Sequence, residues 1–82
     1  MNVEHLVSMA NQIASFYKAY PDRVEALSST ARWIRRAWDP RMRTALLQHV
    51  DSTGGEGLDP FTLEAIQTYR KDLTPGDTFV RP

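Results

Sequence analysis

The densest chemistry in the chain lies between Arg32 and Arg43, in the run RWIRRAWDPRMR. Five arginines, two tryptophans and one acid share these positions. A guanidinium is a planar fork of donors that grips carboxylates and phosphates and stacks on aromatic faces. Such a block could clamp an anionic substrate, follow a nucleic-acid backbone or anchor a protein interface. The plainest reading is a solvated basic face with Trp38 in the core. Two observations count against it. Trp33 and Trp38 are five positions apart, about 140° round a helix, so one face does not easily bury both. The chain also has eight arginines against two lysines, which favours specific pairing, and arginine with tryptophan dominates interface hot spots.

Other chemistries find less support. The two histidines, His5 and His49, fall on different expected helices. With no cysteine and no HExxH spacing, no metal site is expected. His49, beside Val50 on an apolar face, reads as a core-edge or interface residue. Ser8, Ser15, Ser28, Ser29 and Ser52 sit in no nucleophile elbow. Asp39 and Asp59 each precede a proline and read as helix caps rather than acid–base groups. The segment GGEGLDP lacks the GK[ST] ending of a phosphate loop, so it reads as a helix stop followed by a helix start. No catalytic, cofactor-binding or metal-binding residue is therefore assigned.

Charge narrows the partner. Formal net charge is zero over 82 residues. Residues 1–31 sum to −1, residues 32–43 to +4 and residues 44–82 to −3. A dedicated nucleic-acid binder is more often basic throughout. The joint between the second and third expected helices carries Asp39 and Pro40 rather than a glycine turn, so its likeness to a helix-turn-helix is loose. The opening MNVEHLVSMANQ has no basic n-region and no long apolar core, so no signal peptide is expected. No apolar run approaches the roughly 20 residues that span a bilayer. A soluble intracellular protein that contacts neither membrane nor nucleic acid is the expectation.

Helices must position these residues. Val3, Leu6, Ala10, Ile13, Tyr17 and Tyr20 keep helical spacing, widened by Val7, Met9, Ala14 and Phe16. Asn2 is the expected N-cap and Pro21 the stop. Pro21 also suits the first turn of a second helix, on which Val24, Leu27, Ala31, Ile34 and Trp38 face inward. Asp39-Pro40 starts a third helix, running to about Val50, with Met42, Ala45, Leu46, His49 and Val50 on its apolar face and Gly54-Gly55 as its end. Asp59-Pro60 starts a fourth. Leu58 should staple Leu63, and Leu63, Ile66, Tyr69 or Arg70, and Leu73 form one stripe. No strand pattern is visible. The expectation is a small all-α bundle of three to four helices over residues 1–73. Residues 74–82 form an irregular or partner-bound tail.

The blocks LVSMANQIASFY, AWDPRMRTALLQHV and GGEGLDP resemble the delta subunit of soluble NAD-dependent formate dehydrogenases. The matching motifs are Met9 to Ile13, Trp38 to Arg43 and Gly54 to Pro60. They keep their order and span most of residues 6–66. Ala37 departs from the pattern, which has a bulky residue before the tryptophan. The resemblance implies a cytoplasmic complex oxidising formate to carbon dioxide with NAD. Its alpha subunit would carry a bis-pterin molybdenum or tungsten site and iron–sulfur clusters. Its beta subunit would carry FMN and the NAD site, and its gamma subunit another cluster. The delta subunit would carry no cofactor and would assist assembly or stability.

The residues point to a non-catalytic helical chain with an interface, and the resemblance implies that its partner is the large alpha subunit. The expected partner-facing residues are Trp33, Arg35, Arg36, Arg41 and Arg43, with Asn11 and Gln12 as a polar pair. Trp38, Asp39, Pro40 and Met42 should hold the corner between the second and third helices. The rival readings are a transient assembly factor for the alpha subunit and, behind it, a small nucleic-acid-binding regulator.

Overall fold

The computed structural model describes residues 2–76. Among these residues it holds five helices and no strand: α1 (Val3–Tyr17), α2 (Arg23–Ala37), α3 (Pro40–Thr53), α4 (Pro60–Thr68) and α5 (Arg70–Leu73). The all-α expectation holds. Of the expected tail, Thr74 to Gly76 carry no helix, and residues 77–82 lie outside the described residues.

Local signals set most helix ends. Asn2 caps α1, its Oδ1 accepting from the Glu4 and His5 amides. Asp39 caps α3 by accepting from the Met42 amide at 3.0 Å, and Pro40 opens that helix. Gly54, at φ 77° in the left-handed region, closes it. The cap of α2 is Asp22, which accepts from the Val24 and Glu25 amides. Pro21 therefore stands before the cap rather than in the first turn, because a side-chain acceptor outcompetes proline's preset φ as the start signal. Asp59 precedes Pro60 but makes no side-chain cap bond. Its amide is instead held by Asn11.

α1 packs on α2, α3 and α4, while α2 also receives α4 and α5. Two apolar clusters result. One centres on Leu6, Ile34, Trp38, Leu46, Ile66 and Leu73. The other joins Ala14, Ala26, Leu27, Phe61 and Ala65, with Tyr69 against it. This division explains why the expected single stripe from Leu63 to Leu73 breaks. At Tyr69 the backbone leaves the helical region (φ −110°, ψ 30°). An unbroken helix would keep Tyr69 and Leu73 on one face, four residues apart. The break lets Tyr69 pack on the second cluster while Leu73 fills the first.

The inward placements of Phe16, Tyr20 and Val24 are corrected. Phe16 and Tyr20 are exposed, because the α1 stripe is wider than the surface covering it. Val24 is exposed in the first turn of α2, where the stripe outruns its neighbours. Helix α3 continues past Val50 to Thr53, and Leu47 is buried beside Leu46.

Candidate partner interface

The arginine block divides into two groups. Arg35 Nη1 donates to the Asp72 carbonyl at 3.2 Å, and Arg43 Nη1 donates to the Leu73 carbonyl at 3.3 Å. Both carbonyls belong to the end of α5, where a helix leaves acceptors without internal partners. Two guanidiniums from α2 and α3 thus tie down a one-turn helix that would not persist alone. Arg43 is half-buried, and its Nε finds no partner among the described residues, which costs part of what the Nη1 bond contributes. Arg32, Arg36 and Arg41 are exposed and form no ion pair or hydrogen bond among the described residues.

The tryptophans divide the same way. Trp38 is 4% exposed and Trp33 45%. Trp38 ends α2 in an extended conformation, its amide donating to the Ile34 carbonyl at 2.9 Å. Met42 packs against the same cluster, so Trp38, Asp39, Pro40 and Met42 form the α2–α3 corner. The Trp33 indole instead walls an open groove of about 420 Å³ between α1 and α2, shared with Gln12, Ile13, Phe16 and Tyr17. Phe16, Tyr17 and Tyr20 form a small aromatic set, with centroids 5.0 to 6.4 Å apart. Beyond Tyr17 and Trp33 the groove meets a polar recess lined by Tyr20, Glu25, Ser29, Arg32 and Arg36. Arg41 lies apart, beside a shallow hollow on α3 with Pro40, Thr44 and Gln48.

Asn11 and Gln12 are adjacent in sequence but differ in what they touch. The Asn11 carboxamide donates to the Gly57 carbonyl at 3.0 Å and accepts from the Asp59 amide at 2.9 Å. It thereby fixes the glycine-rich loop onto α1. The same loop is held by His49, whose Nε2 donates to the Glu56 carbonyl at 2.7 Å. Thr53 Oγ1 accepts from the Gly55 and Glu56 amides. Gly55 needs its left-handed φ of 89°, and a Cβ there would meet Leu63 Cδ1 at 2.8 Å, so Leu58 and Leu63 close over a bare backbone. Gln12 remains exposed on the rim of the groove.

Two ion pairs brace the outside. Arg70 grips Asp51 with two bonds of 2.8 Å, which hold the Asp51 carboxyl below its ordinary value, the hydrogen bonds contributing most. Arg23 pairs with Glu64 and lies 5.5 Å over the Phe61 ring, linking α2 to α4. Among the described residues no three metal-ligating side chains cluster.

Sequence reasoning missed the aromatic set of exposed Phe16 and Tyr20 with half-buried Tyr17. Their signal was present: three aromatics within five positions, one of them off the main stripe, exceed what one buried helix face absorbs.

A family model described as NADH-dependent formate dehydrogenase delta subunit FdsD matches residues 5–66. The chain belongs to that family. It is accordingly a subunit type of an oxidoreductase complex, and the resemblance read from the MANQI, WDPRMR and GGEGLDP blocks is borne out. The match takes in the groove, the α2–α3 corner and the glycine-rich loop, and stops within α4 before Tyr69. No curated protein and no solved structure matches the chain. No helix among the described residues is long and apolar enough to cross a membrane.

Proposed function

We propose that this chain is a non-catalytic accessory subunit that docks on the large alpha subunit of a cytoplasmic NAD-dependent formate dehydrogenase and supports its assembly or stability. The observation that carries the reading is Trp33, held half-exposed beside unpaired arginines in a chain of the delta-subunit family. A large aromatic in water is costly, and such a side chain with arginine neighbours fits the anchor of an interface. On this reading Trp33, Arg36, Arg41 and Gln12 face the partner. Arg35, Arg43 and Asn11 shape the surface from behind, since their donors are engaged within the chain. The bis-pterin molybdenum or tungsten centre, the iron–sulfur clusters, FMN and NAD belong to the alpha, beta and gamma subunits.

Co-expression with and without the chain tests this. With it, the active enzyme should contain one copy per alpha subunit, with full metal content and formate oxidation. Without it, metal content or half-life of activity should fall several-fold. Unchanged enzyme in its absence refutes the reading. A chain needed for metal loading yet missing from the purified enzyme would make it a transient assembly factor.

A further inference from the structure

Resting on the reading of the chain as a docked subunit, we propose that the α1–α2 groove receives an amphipathic helix of the large subunit. That helix presents apolar side chains to Ile13, Phe16 and Trp33 and carboxylates to Arg32 and Arg36. The groove is open and predominantly apolar, and its far end turns basic within the same continuous surface, because Tyr17 and Trp33 wall both parts. Phe16 at 65%, Trp33 at 45% and Tyr20 at 37% account for three of the four exposed large apolar side chains. The fourth, Val24, lies nine positions before Trp33, about 180° round α2.

Three arguments fix the occupant. The described residues offer no strand edge, so strand addition has no template, and a crevice between two helices accepts a third by ridges-into-grooves packing. Of the charged side chains lining the recess, Glu25 is the one acid against Arg32 and Arg36. The local excess is positive, and carboxylates on the incoming helix complement it. A second copy of this chain is the wrong occupant. A two-fold interface over this groove would bring the four guanidiniums of two Arg32 and Arg36 pairs together with only the two Glu25 carboxylates to offset them.

The test uses the co-expressed complex, with a photo-crosslinking amino acid substituted in turn for Phe16, Trp33 and, as control, Val24. Failure of the unmodified chain to co-purify defeats the subunit reading itself, and the groove proposal with it. Where it does co-purify, Phe16 and Trp33 should cross-link to one helical segment of the large subunit that carries Asp or Glu within a turn of its apolar contacts. Val24 should not cross-link there. Phe16→Ser with Trp33→Ser should lower retention in the complex about 30-fold. Arg32→Glu with Arg36→Glu should lower it about tenfold, with thermal unfolding of both variants unchanged. Cross-links from Val24 alone, cross-links to a second copy, or full retention of either double variant overturn the groove proposal while leaving the subunit reading standing.

Discussion

The α2–α3 corner and the α1–α2 groove are built from the same residue types and spend them in opposite ways. At the corner, Trp38 fills the core and Arg35 and Arg43 hold the end of α5. At the groove, five residues upstream, Trp33 stands half in water beside Arg32 and Arg36, which hold nothing among the described residues. An arginine-and-tryptophan block thus has no single meaning. Helical angle assigns each member: the residues that face α5 and α3 are consumed by the fold, and those that face away are left for another molecule.

Substitution should separate the two regions most sharply at the tryptophans. Trp38→Ala should cost about 3–5 kcal/mol, a large part of the about 5–15 kcal/mol that holds a small domain folded. Trp33→Ala should cost less than about 1 kcal/mol. Urea titration of the isolated chain measures both, and equal losses would erase the distinction between the regions. The arginines give a smaller contrast. Arg43→Ala should destabilise by about 1–2 kcal/mol, because it frees an α5 carbonyl while also relieving an unpaired Nε. Arg41→Ala should stay within about 0.5 kcal/mol by the same titration.

The smallest effect concerns a third kind of arginine, paired but at the surface. The Asp51 carboxyl is depressed by Arg70. The contribution of that pair is therefore complete above the unfolded carboxyl value of about 3.9 and disappears as pH falls through the lower folded value. Asp51→Asn should unfold slightly earlier than the parent chain near neutrality and match it in strong acid. A difference that persisted in acid would assign the effect to packing instead.

How much of this was legible in the sequence depends on the range of the interaction. Asn2, Asp39, Pro40 and Gly54 act within one turn of themselves, and their roles are readable from spacing alone. The split between Trp33 and Trp38 follows from their angular separation, which is equally local. Arg35 and Arg43 required knowledge of where α5 lands, 37 and 30 residues away. Asn11 looked like half of a surface pair because its partners, Gly57 and Asp59, lie 46 and 48 residues on. Tyr69 could not be read as a break because nothing in its neighbourhood says that two clusters compete for its helix. Periodicity finds the faces of a helix, but not which faces lack a neighbour. For that reason spacing sets Phe16, Tyr20 and Val24 inward although all three are exposed.

The two hydrogen bonds between Asn11 and the glycine-rich loop have a dynamic side. One carboxamide on the first helix satisfies a donor and an acceptor nearly fifty residues downstream. The loop completes its hydrogen bonding only when α1 is docked, and closing so long a stretch of chain costs entropy. Exchange of the Asp59 amide proton with solvent then becomes a clock on the first helix. It is slow while Asn11 holds the loop and quickens when α1 lifts or the loop leaves it.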